Sequence, residues 1–300
     1  MFLIRNVLGT ESLEEPEEAL SLTPLERGSL YHEVLESFLR RARDRAELPL
    51  SLDQRDELLA TAARIGRSGK WSLAAMAGAR ELELRRLTAD LALWLSYEIL
   101  EASPYRPRYF EARFGGRLRA GDDPELSTEE GVSFEAMGDF PIRFGGKIDR
   151  IDVDDERGRA RVIDYKTGRA QTAGKKTLDK GRRLQLPVYL LAAEQMLNEV
   201  LPGSVVDTAE YLYVSARGGP SSLTFTREEL QAASDELARA VGLILHGIRS
   251  GMYFAYPPDP VNCRYCDYAD ACGSTAVSLA RMKNGDPQAR FFVQDLVEIE

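Results

Sequence analysis

Residues 145–168, GGKIDRIDVDDERGRARVIDYKTG, decide the fold. Two apolar-rich runs, GGKIDRIDVD and ARVIDYKTG, flank the turn-forming DDERG at 154–158, which predicts an antiparallel hairpin. Side chains two apart on a strand share a face, so Asp164 and Lys166 project together from the end of the second run. The returning strand brings Asp149 beside Asp164, so that two carboxylates and one amine converge. A carboxylate pair offers hard oxygen ligands suited to Mg²⁺, an ion that often binds substrate phosphates as well. The lysine is a point charge that can orient or help deprotonate a water, or stabilise charge on a phosphoryl group. An Asp-x-Lys triplet alone is common on solvated hairpins; here it follows a buried-type strand and has an acid fifteen residues upstream.

Outward from the hairpin, further strand-like runs occupy 107–165, among them RYFEARFG and VSFEAMGDFPIRFG. Residues 22–103 read as helical, opened by the capping signal Thr23-Pro24-Leu25-Glu26 and closed near Pro104. A helix is expected over 184–200, starting near Leu186 because Pro187 fits only a first turn. A strand at 208–217 and one long helix at 226–251 complete the order. These elements predict an α/β (mixed α+β) fold, a mixed β-sheet flanked by helices with an N-terminal helical lobe. The expected division is a helical lobe at 1–106, a core at 107–251 and a cysteine-bearing tail at 252–300, forming one integrated domain.

The 300 residues carry 44% hydrophobic and 29% charged side chains, which excludes disorder as the main state. No run approaches the ~20 apolar residues of a membrane span. The opening MFLIRNVLG, with Arg5 followed by LEEPEE, fits neither a signal nor a transit peptide. With only three cysteines, the expectation is a cytoplasmic protein. A net charge of −9 argues against coating nucleic acid by bulk electrostatics, but Lys166–Arg183 holds seven basic residues against the single acid Asp179. A nucleotide-driven motor is not expected here, because GxxxxGK[ST] is absent and GKKT at 174–177 lacks the upstream glycine.

GGKIDRID, VIDYKTG and QLPVY together resemble the motifs of the PD-(D/E)XK nuclease superfamily, in particular its RecB-like branch, which includes AddB-type components of helicase-nucleases. GSLYHEVLE matches the Gly-x-x-x-His helix of that branch through Gly28 and His32. The resemblance implies a restriction-endonuclease-like fold. It also implies that His32, Asp149, Asp164 and the backbone carbonyl of Tyr165 hold Mg²⁺ or Mn²⁺, with Asp149, Asp164 and Lys166 catalytic. Gln185 and Tyr189, four apart on one helix face, match a Gln-x-x-x-Tyr motif and are expected to meet the nucleic-acid backbone. Lys175, Lys176, Arg182 and Arg183 are expected along the DNA path. The implied function is a metal-dependent deoxyribonuclease, an exonuclease rather than an endonuclease, acting on single-stranded DNA or duplex ends in repair or recombination beside a helicase module. The competing reading is a catalytically inactive DNA-binding or scaffolding module of the same fold.

Cys263, Cys266 and Cys272 form C-x₂-C-x₅-C, a spacing that favours a metal site over three buried thiols. Three ligands are one short of tetrahedral zinc, for which His246 is a candidate fourth. In iron-sulfur members of the branch the same spacing is completed by an upstream cysteine, which implies a [4Fe-4S] cluster in a longer parent chain. MFLIRNVLG resembles the segment that follows that cysteine, so the chain reads as a piece of a longer polypeptide or as one that has lost the ligand.

Overall fold

A computed structural model describes residues 22–68, 77–134, 142–170, 178–179, 181–215, 219–252 and 266. The first helix, α1 (Pro24–Asp44), begins where the sequence signal predicts. The Thr23 hydroxyl accepts from the Glu26 N–H at 3.2 Å, and the Glu26 carboxylate accepts from the Thr23 N–H at 2.8 Å. With α2 (Arg55–Gly66) and α3 (Ala77–Leu100) it forms the helical lobe. Leu35, Phe38 and Leu39 of α1 pack on Leu91, Trp94 and Leu95 of α3, the Phe38 and Trp94 rings meeting edge to face at 6.4 Å. Fully burying such side chains contributes about 1.5–3 kcal/mol each. Arg27 pairs with Glu83, and the Tyr31 hydroxyl donates to Asp90 at 2.5 Å, which fixes α1 against α3.

β1 (Arg106–Phe114) leads to a small separate ribbon of β2 (Val132–Phe134) and β3 (Ile142–Phe144). The decisive hairpin follows as β4 (Gly146–Asp154) and β5 (Arg159–Lys166), in the register Arg150↔Ile163 and Asp152↔Arg161. Asp149 lies within β4, next to Arg150, the first residue paired with β5, and Asp164 follows that residue's partner, Ile163. A parallel neighbour cannot be reached by a tight turn. Accordingly α4 (Gln185–Val200) crosses over to β6 (Val205–Tyr213), which pairs in parallel with β5. β7 (Ser221–Thr226) completes a five-stranded mixed sheet of order β1-β4-β5-β6-β7. β7 is not foreseen from the sequence, being a polar edge strand in which only Phe225 is buried. The long helix expected at 226–251 is divided at Ala233 into α5 (Arg227–Ala232) and α6 (Ser234–Arg249), with Thr226 and Glu229 forming a second capping box at the start of α5.

The sheet is buried on both faces. Ile163, Tyr165 and Leu212 face the helical lobe, while Val162, Ala209 and Tyr211 face Leu190, Ala193 and Leu197 of α4. One local exception positions the site. Phe110 packs on the lobe side, yet Ala112, two residues on, joins the α4-side core. Its partner strand does the same, since Arg150 faces the lobe and Ile148 packs with Ala112. Glu111 and Asp149 stand at this joint reversal, where Glu111 adopts φ +55, a left-handed conformation uncommon for glutamate.

Candidate functional site

His32 comes from the third turn of α1, within a helix whose buried side holds Tyr31, Val34 and Leu35. It is half-buried, with Nδ1 3.2 Å from Asp149 Oδ1 and Nε2 3.2 Å from the carbonyl oxygen of Tyr165. The other oxygen of Asp149 accepts from the Tyr165 N–H at 2.8 Å, where a side chain takes the place of a ladder bond between β4 and β5. Asp164 projects to the opposite side of β5 from the Tyr165 ring. Its Oδ1 accepts from Gln185 Nε2 at 2.8 Å, and its buried Oδ2 faces the Lys166 ammonium. Lys166 in turn donates to Gln185 Oε1 at 3.3 Å and lies 4.7 Å from the centroid of the Tyr211 ring, an arrangement that steadies the ammonium through a cation–π contact.

The electrostatics follow from crowding acids in a place with little water. Burial, then the charge of Asp149, pushes the Asp164 carboxyl up to about 6 although Lys166 opposes the shift. Burial alone would depress the His32 imidazole; its hydrogen bond and charge contact with Asp149, with further help from Glu111 and Asp164, raise it to about 9. Burial also lifts the Tyr211 phenol to about 12. On the other side of His32, burial and then Glu111 raise the Glu36 carboxyl above its ordinary value.

Two of the acids, Glu111 and Asp149, and the imidazole make a donor set suited to a hard or borderline divalent cation. The nearest ligand atoms of His32, Glu111 and Asp149 lie within 4.8 Å of one another. Two bonds of about 2.1 Å span at most about 4.2 Å, so a small inward shift of one side chain closes the set. Glu111 is a residue that the motifs do not mark. The signal available was its place as the only acid in the run RPRYFEARF of a strand that pairs with the Asp149 strand.

Gln185 and Tyr189, expected to meet nucleic acid, are turned inward. Gln185 joins Asp164, Lys166, Tyr189 and the Tyr211 hydroxyl (3.0 Å), and the Tyr189 hydroxyl donates to the Lys147 carbonyl at 2.8 Å. Arg182 is exposed and pairs with Asp179 at 2.8 Å, while Arg183 lies 3.7 Å from the same carboxylate. Lys175, Lys176, Cys263 and Cys272 lie outside the described residues; Cys266 is half-buried. His246 is on α6, with Nε2 3.5 Å from Ser250 Oγ. Gly28 approaches the loop after β5, where an added Cβ would stand 3.8 Å from Thr167 Oγ1, an ordinary contact. Among the described residues no helix is long and apolar enough to cross a membrane.

Comparison with known proteins identifies relatives of the chain by sequence. A curated relative, one of the subunits of the ATP-dependent helicase/deoxyribonuclease of Lachnoclostridium phytofermentans, is 29% identical over 215 residues. That similarity covers 67% of this chain and 16% of the relative, so the chain spans a small part of the longer protein. The family match is broader and takes in the α1 histidine, the hairpin carboxylates and the α4 glutamine alike. Over residues 1–273 the sequence matches the PD-(D/E)XK nuclease superfamily, and the chain belongs to it.

Proposed function

We propose that this chain is the divalent-metal-dependent deoxyribonuclease domain of a larger helicase-nuclease. It hydrolyses phosphodiester bonds of single-stranded DNA or DNA ends, as an exonuclease, in cytoplasmic repair or recombination. The observation that carries the reading is the contact of His32 on α1 with Asp149 of β4 and the Tyr165 carbonyl of β5, with Asp164 near enough to feel the Asp149 charge and Lys166 beside Asp164.

In this reading His32, Asp149, Asp164 and the Tyr165 carbonyl hold Mg²⁺ or Mn²⁺, which supplies Lewis-acid polarisation of a phosphate and acidifies a water. The chain's own groups do the rest. Lys166 presents a cation that stabilises negative charge on a phosphoryl oxygen or orients the attacking water. Gln185 positions both Asp164 and Lys166 through the two ends of its amide. Tyr189 anchors the start of β4 through the Lys147 carbonyl, two residues before Asp149. Arg182 and Arg183, with Lys175 and Lys176, steer the phosphate backbone electrostatically. Because His32 belongs to the lobe and the carboxylates to the sheet, residues 1–251 act as one nuclease unit. Residues 252–300 carry the cysteine motif that binds an iron-sulfur cluster or zinc in the parent protein.

The test is cleavage of end-labelled single- and double-stranded DNA in Mg²⁺ or Mn²⁺ by the wild type, Asp164→Ala and Lys166→Ala. Metal-dependent cleavage lost in both variants is expected. Equal, metal-independent cleavage by all three proteins discards the assignment, and DNA binding without cleavage by the wild type leaves the inactive scaffold in its place.

A further inference from the structure

Glu111 reaches the candidate site from a strand outside the recognised motifs. It is 7% exposed, and it shares with His32 and Asp149 the donor set spanning 4.8 Å. The cation in contact with its carboxylate is the ammonium of Lys147, two residues before Asp149 on β4. The partners differ in freedom. Both line a cavity of about 450 Å³ with His32, Glu33, Glu36 and Arg119, but the Glu111 side chain is 9% exposed and the Lys147 side chain 40%. The Lys147 backbone is held by Tyr189, so the strand stays in place while the ammonium has room to leave.

Two physical limits act on this pair. A buried carboxylate without a cation is strongly unfavourable. A lysine ammonium and a divalent ion on the same carboxylate repel one another across a few ångströms of low-dielectric space. Exchange of one cation for the other satisfies both limits. Lysine suits the task better than arginine, because its point charge on a flexible stem makes no planar, bidentate grip.

Resting on the metal-dependent reading above, we propose that Lys147 is a built-in counter-ion. It occupies the Glu111 carboxylate in the cation-free protein and yields it to the incoming divalent ion, so that Glu111 joins His32 and Asp149 as a ligand. Lys147 then turns into the adjoining cavity, toward Glu33 and Glu36. Lys147 thus sets the metal affinity through competition for Glu111.

The experiment is calorimetric titration of Mn²⁺ into the wild type, Lys147→Met, Glu111→Gln, the double variant and Asp149→Asn, each checked for folding by thermal melting. Removing the competitor in Lys147→Met is expected to tighten binding about 2–5-fold, the scale of a part-exposed ion pair. Glu111→Gln is expected to weaken it by about 10-fold or more. The gain from Lys147→Met vanishes in the double variant. Unchanged or weaker binding in Lys147→Met overturns the inference, as does a gain that persists without Glu111; the Lys147→Met result decides alone if Glu111→Gln does not fold. Wild-type affinity in Asp149→Asn would instead overturn the metal site itself, so the two failures are separable.

Discussion

The two faces of β4 use the same residue types to opposite ends. Toward the lobe, Arg150 grips Asp152 with two bonds of 2.5 and 2.6 Å and reaches Glu98 of α3 at 2.5 Å, while Arg161 bonds Asp152 at 3.0 Å and Glu101 at 3.2 Å. Arg150 and Asp152 are wholly buried. Burial works against both charges, but their mutual attraction prevails, holding the Asp152 carboxyl below its ordinary range and the Arg150 guanidinium above its own. One position away, Asp149, Asp164 and Glu111 are buried to a similar degree, but the ammonium groups beside Asp164 and Glu111 belong to Lys166 and Lys147, with side chains 34% and 40% exposed. Forked arginines close a network permanently, whereas lysines neutralise carboxylates in a way that can be undone. The difference separates charge locked inside the fold from charge whose partner stands partly in solvent.

The contrast can be broken in several ways, beginning with the largest effect. Lys166→Ala should lower DNA cleavage by about 10²–10⁴-fold, the range for a positioned acid–base group, while the melting temperature stays within a few degrees. A single-turnover assay beside a thermal melt checks both, and a collapse of the fold would place Lys166 with the closed network. Arg150→Ala should do the reverse, costing about 3–5 kcal/mol of stability because it strands the Asp152 and Glu98 charges. Urea unfolding measures this, and a loss below about 1 kcal/mol would mean that the lobe-side network is no different from a surface pair.

The third effect concerns pH in the metal-free protein. Asp164 is raised from an ordinary 3.8 to about 6, so folding favours its protonated form and wild-type stability from this group falls as pH climbs through that interval. Asp164→Asn removes the penalty. In EDTA it should gain on the wild type between about pH 4 and 7 by roughly 1–3 kcal/mol, and a pH-independent difference would contradict the crowding of acids at this face. The smallest effect is expected from Tyr165→Phe, which removes only the 3.3 Å bond from Arg150 to the Tyr165 hydroxyl. Its cost should be about 1 kcal/mol in the same unfolding assay.

Much of the candidate site was legible because its residues sit on regular elements. Strand alternation puts Asp164 and Lys166 on one face, the DDERG turn sets the register that brings Asp149 near Asp164, and the α1 motif singles out His32. Glu111 escaped because its position depends on a left-handed residue inside a strand, for which glutamate carries no local sign. The arginine network was likewise invisible as a network, since Glu98 near the end of α3 and Glu101 just past it lie 52 and 60 residues before the arginines they meet. Spacing alone also gave no sign of the partners of Gln185 within the protein. Its helix begins one residue before the position that Pro187 suggested, and the amide points back at the carboxylate rather than outward. β7 was missed for a simpler reason, as a polar edge strand makes no apolar pattern.

Tyr165 joins the two faces through one residue. Its hydroxyl meets Arg150, its N–H meets Asp149, and its carbonyl oxygen meets His32. Any strain placed on the phenol is therefore delivered, across the thickness of a single strand, to the two atoms that aim the acid and the imidazole. Glu98 on the lobe is thereby joined, through Arg150 and this one residue, to the contacts of Asp149 and His32.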